Sequence, residues 1–263
     1  MARAADDGYE HDLLPGLRSS VDAARLADEL AFSANRLDEL SGDPPGLYAD
    51  VALSPDVEEA AWLAFLIAYL SPLNGDDPWA GIAAARTTWA SGEVPLLDDV
   101  PLGPRTAHVP PRGAATLVAY RGFAERAGSQ AAAFTADPSW PEPRRFDRAF
   151  ERLALPGFGR AARYELLVIL GRLGVFPLRA WSLQLGTDAL DPTVVAAKRV
   201  LGIGDPLLLQ RRAADLATAT GVPMEALDLG LTNWQRSDER IAAGATVAVE
   251  GERRDAIGAA LGV

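Results

Sequence analysis

The sequence predicts an all-α fold, and three observations carry that prediction. Apolar residues recur at helical spacing in most segments, no segment alternates convincingly with a period of two, and capping residues, Pro and Gly close the segments off. Nearly half of the 263 residues (49%) are apolar and 23% are charged, enough for a packed core and too apolar for a disordered chain.

Residues 17–40 place Val21, Leu26, Leu30 and Leu37 on one helical face, with acids opposite. The loop SGDPPGLYADVALSP follows. Ser54-Pro55-Asp56 then starts a helix whose Glu58 and Glu59 suit its positive end. The apolar run 60–70, AAWLAFLIAYL, is too short to cross a membrane and reads as a buried core helix that includes Trp62. Helices are expected at 78–91 and 113–134, separated by a Pro-rich connection at 92–112. Further helices are expected at 143–154, 159–174, 192–201, 206–221 and 223–235, the last with Trp234 in the core. ATVAVEG (245–251) suits a short strand or turn.

The chain carries 25 Lys+Arg against 36 Asp+Glu, a formal charge of −11, and no Cys. A disulfide scaffold, a thiolate zinc site, a Cys nucleophile and a Cys-held iron–sulfur cluster are excluded. His11 and His108 are too few for a His-rich metal site, and no metal is expected. The acidic start MARAADDGYEHDLLPG lacks the apolar stretch of a signal peptide, so a cytoplasmic protein is expected. Lys198 is the sole lysine. Charge is uneven: residues 1–60 hold 14 acids and 4 arginines, whereas 142–179 hold 8 arginines and 4 acids. A local positive face of that kind can engage phosphate, or be a solvated helix face with internal ion pairs.

The most informative segment is 143–202. A helix ending at Ala154 meets Leu155-Pro156-Gly157-Phe158-Gly159, and a second helix starts at Arg160. Pro followed by two spaced glycines makes a tight turn, and it lets amides at the second helix's start approach an anion. An ordinary αα-hairpin with no ligand would use the same residues.

This segment resembles the hairpin of the helix-hairpin-helix superfamily of DNA glycosylases. Asp191, Val194, Leu201 and Gly202 stand at the spacing of that family's aspartate pattern, and PMEALDLGLTNWQ (223–235) is similar to its closing helix. The resemblance implies two helical lobes flanking a cleft with a helix-hairpin-helix motif. Residues 55–183 would form one lobe, ending in the hairpin at about 143–174; residues 1–54 with 184–263 would form the other.

The resemblance also implies a monofunctional glycosylase of base excision repair without iron–sulfur cluster, a hydrolase that flips a damaged base out of duplex DNA. Asp191 would be the catalytic carboxylate, with Asp188 as its rival because 175–190 is inserted. Leu155, Pro156, Gly157, Phe158, Gly159 and Arg160 would bind double-stranded DNA, Asn74 would be the wedge, and Tyr164 and Trp181 would line the base pocket. Ala161 stands where strand-nicking relatives carry a lysine, so no lyase activity is expected. No cofactor is implied beyond a monovalent cation that the hairpin could take, and neither a membrane nor a protein partner is expected. The competing readings are a non-catalytic DNA-binding relative, a protein-interaction module, and the same fold acting on hypermodified phage bases.

Overall fold

The computed structural model describes residues 4–236 and 239–263. Among them lie twelve α-helices and one short 3₁₀ turn, and no strand. The all-α expectation holds, and ATVAVEG forms no strand. Among the described residues no helix is long and apolar enough to cross a membrane. The chain divides into two compact units: residues 1–38, 181–240 and 247–263 form the first, and residues 39–180 with 241–246 form the second.

The second unit is built around α3 (Val57–Leu70), in which every residue from Ala60 to Leu70 is buried. Such a helix has no polar face to give to water, so it must be surrounded. Its neighbours are α2 (Leu47–Leu53), α4 (Ala80–Ala85), α6 (Gln130–Thr135) and α8 (Arg160–Arg172); α5 (Gly113–Ala127) and α7 (Glu142–Arg152) complete the layer. An aromatic column runs through this core. Phe65 stacks on Tyr120 with ring centroids 3.7 Å apart, and Trp62, Tyr69 and Phe158 lie within 5.5 Å of Phe65.

The acids at the start of α3 do more than complement its dipole. Asp56 caps it by accepting from the Glu58 amide at 2.9 Å. The Glu58 carboxylate accepts from the Gln130 and Ala131 amides at the start of α6, and Glu59 accepts from the Trp89 and Ala90 amides.

The first unit holds α1 (Ser20–Gly42, counted here through Asp38), α9 (Pro192–Leu201), α10 (Pro206–Thr220), α11 (Met224–Gln235) and α12 (Glu252–Ala260); α9 packs on α11, α10 touches α9, α11 and α12, and the buried side chains include Leu26, Leu30, Val200 and Leu227. Gly230 allows α11 close to α1, since a Cβ there would lie 2.9 Å from Leu30 Cδ2. Trp62 and Trp234 are core residues, and each indole N–H is satisfied by a backbone carbonyl, of Thr87 and Asp22 respectively.

The structure departs from the sequence reading in local ways. The loop after α1 contains α2, the helix expected at 78–91 is reduced to α4, and the final helix α12 was not anticipated. The single helix expected at 113–134 is two, broken at Gly128, with the Ser129 side chain accepting from the Ala132 amide to cap the second.

The connection at 92–112 carries a buried polar pair. The Tyr69 hydroxyl and His108 Nδ1 share a hydrogen bond of 3.0 Å. Burial pushes the imidazole below its usual value, against the pull of the Asp98 carboxylate. The folded chain therefore binds this proton less readily than the unfolded chain. The contribution to stability is intact above the ordinary imidazole pKa of about 6.5 and is lost as pH falls through the depressed folded value. Urea midpoints measured from pH 8 to pH 5 should fall further for the wild type than for His108→Gln. Parallel curves would show that His108 does not contribute.

Candidate functional site

The hairpin is formed as its sequence requires. The Phe158 amide donates to the Leu155 carbonyl at 3.1 Å, closing a turn with Pro156 at its second position and Gly157 at its third, where φ is +74°. Those are the residues a type II turn demands. The Thr116 hydroxyl donates to the Pro156 carbonyl at 2.9 Å and ties the turn to α5. Phe158 is only 2% exposed and belongs to the aromatic column. Gly159 is the N-cap of α8 and has no side chain with which to cap it.

Arginines frame the hairpin. Arg163 reaches back across it: Nη1 donates to the Phe150 carbonyl at 3.2 Å, with the guanidinium 4.3 Å from the Phe150 ring centroid. Burial, and then Arg160, lowers its pKa. Arg144 and Arg148 are exposed on α7; the first lies over Trp140 and the second pairs with Glu151. Tyr164 is fully buried with its ring edge-on to Phe146, and Phe176 packs on Phe134. Both are core side chains.

Beside the first turns of α8 lies a narrow crevice walled by Ala68, Ser71, Ala161, Ala162 and Ala243. The 92–112 connection delivers a cation to it. Gly103 donates to the Leu70 carbonyl, Ala107 to that of Tyr69, and the Arg105 amide to Ser71 Oγ at 3.3 Å. Arg105 Nη1 then meets Glu165 Oε2 at 3.3 Å, with both side chains largely buried. Ser71 itself sits at φ +61°, a strained conformation for a residue with a side chain. A guanidinium and a carboxylate held next to small residues can stabilise an anion and accept a proton. Arg105 is not readable from the sequence, because a Pro-rich connection carries no periodicity.

Asn74 also lies in the second unit, where Oδ1 accepts from the Ala242 amide at 3.1 Å. Asp191, Asp188 and Trp181 fall in the first unit. Asp191 caps α9, accepting from the Thr193 and Val194 amides at 2.9 and 3.3 Å. Behind it the Thr193 hydroxyl contacts Thr232 Oγ1 at 2.8 Å and Asp228 Oδ1 at 3.3 Å, a buried polar cluster between α9 and α11. Asp188 is exposed and accepts from the Leu190 amide, and Trp181 is 56% exposed.

Residues 114–244 match the model of the family described as alpha-glutamyl/putrescinyl thymine pyrophosphorylase clade 3. The match covers 131 of 263 residues, just under half, and includes α5 to α11. No curated protein and no solved structure matches the chain significantly. The family match overturns the resemblance to helix-hairpin-helix DNA glycosylases. The similarity is to a pyrophosphorylase, a transferase of thymine modification, and not to a hydrolase that releases bases. The expectations of a DNA N-glycosylase and of a role in base excision repair fall with it. The physical reason for the misreading lies in the turn: Pro156 and Gly157 serve its backbone geometry and Phe158 serves the core, needs that any tight helical hairpin shares.

Proposed function

We propose that this chain is a pyrophosphorylase-type transferase of thymine hypermodification, acting on thymine in double-stranded DNA. The match over residues 114–244 carries this reading. The description of the matched family joins a thymine, a glutamyl or putrescinyl group, and pyrophosphate. In our reading the amine nitrogen forms a bond to the exocyclic carbon of thymine as the carbon–oxygen bond to pyrophosphate breaks. The ammonium proton passes to a base, and the leaving group departs as an anion. Such a step asks for a cation near the departing oxygens and a carboxylate for the proton. Arg105 and Glu165 fill those roles in this proposal, paired at 3.3 Å beside the first turns of α8. The arginine excess of residues 142–179 supports DNA as the partner, and a cytoplasmic setting suits the same reading.

The test uses duplex DNA whose thymines carry a pyrophosphate ester on the exocyclic carbon, incubated with glutamate or putrescine. Pyrophosphate release and nucleoside mass are followed. The expected result is amine-dependent release with the matching mass gain, slowed about 10²–10⁴-fold in Glu165→Gln. Absence of release from DNA and from the free nucleotide would overturn the reading. Release from the free nucleotide alone would remove DNA as the partner.

A further inference from the structure

The first unit contains a cleft of about 170 Å³ whose walls include Asp6, Arg18, Ser19, Asp22, Arg199 and Trp234. Its walls are firmly held. The Gly16 amide donates to the Val200 carbonyl at 3.1 Å, the Asp7 carboxylate accepts from the Ser20 amide, and Trp234 Nε1 donates to the Asp22 carbonyl at 2.9 Å. Two of the charged groups are occupied locally: Arg18 pairs with Glu10 at 2.7 Å, and Asp6 accepts from the Gly8 amide.

The other two are not matched by an opposite charge. Asp22 is 7% exposed, yet among the described residues its carboxylate accepts no hydrogen bond and joins no ion pair. A carboxylate on a cleft wall with no partner from the protein is open to a ligand that can donate to it. It lies in the first turn of α1, where the helix dipole favours negative charge. Arg199 donates to Gln235 Oε1 at 2.8 Å and lies 5.5 Å from the Trp234 ring centroid, and it too joins no ion pair among the described residues. A carboxylate and a guanidinium thus share one cleft without meeting.

We infer that this cleft is a binding site for a free α-amino acid, with the ligand's ammonium on Asp22 and its carboxylate on Arg199. Ser19 and the edge of the buried Trp234 also line the cleft. A zwitterion satisfies both charges at once. A diamine leaves the guanidinium unmatched, and a dicarboxylate leaves Asp22 unmatched. The inference stands apart from the pyrophosphorylase reading, because Asp6 to Asp22 lie outside the matched residues and binding needs no pyrophosphate.

The test is calorimetric titration of the full chain with each L-amino acid, and then with the methyl ester and N-acetyl derivative of any that binds. Glutarate and cadaverine serve as controls that carry charge of one sign only. At least one amino acid should bind with one-to-one stoichiometry, and the blocked derivatives and controls about tenfold or more weakly. Asp22→Asn should weaken binding to a similar degree while keeping its helical circular dichroism. If that variant does not fold, the blocked derivatives on the wild type decide. The proposal is overturned if no amino acid binds, if the blocked forms bind equally well, or if folded Asp22→Asn binds like the wild type.

Discussion

Phe158→Ala should lower the stability of the protein by about 3–5 kcal/mol, the usual cost of emptying a fully packed aromatic site. Phe158 lies in the hairpin turn, where an exposed ring would be read as an interface residue. Its centroid is instead 5.2 Å from that of Phe65 and 6.4 Å from that of Tyr69, both on the buried face of α3. The side chain therefore fastens the turn to the central helix, and its loss leaves a cavity among rings that stack on one another and cannot collapse freely. Urea or thermal unfolding measures the effect directly. A variant with wild-type stability and weakened DNA binding would show that the ring faces a ligand and not the core.

How legible this molecule was in its sequence depended on the kind of signal each element carries. The run from Ala60 to Leu70 is apolar on every side, and only a surrounded helix can accommodate that pattern, so α3 and its burial were readable. Asp191-Pro192 and Asp205-Pro206 announce helix starts by capping chemistry, and both carboxylates accept from the expected amides. Short helices were not readable. Seven residues in α2 and nine in α12 give too few turns for periodicity to stand out, and their formation rests on packing rather than on propensity.

The candidate site was less legible than the fold, for a physical reason. Arg105 and His108 sit in a Pro-rich connection whose course is fixed by hydrogen bonds to the end of α3, and those bonds leave no trace in local sequence. Glu58 and Glu59 were assigned to their own helix's dipole, whereas their carboxylates accept from amides 30 to 73 positions away in sequence. The L-P-G-x-G turn was read correctly as a turn and wrongly as the signature of a glycosylase. Turn geometry dictates the proline and the first glycine whatever the protein does, so their presence says little about chemistry.

The two glycines of that turn, equivalent in the sequence, should behave differently when replaced. Gly157→Ala should cost about 2–4 kcal/mol. A side chain at φ +74° incurs about 1–2 kcal/mol of steric strain. The new Cβ would also overlap Thr116 Oγ1, breaking the hydroxyl's bond to the Pro156 carbonyl, a loss of about 1 kcal/mol or more. Gly159→Ala meets nothing within 4 Å, and its φ of −67° suits any residue. Its cost should be about 1 kcal/mol at most, that of a poorer N-cap. Equal losses in the two variants would mean that the turn is not held as described. The Thr116→Val variant separates the two parts of the Gly157 effect: it removes the hydroxyl bond without touching the backbone, so it should lose only the smaller share. If Thr116→Val alone matched the full cost of Gly157→Ala, the strain at residue 157 would not be what makes glycine necessary there.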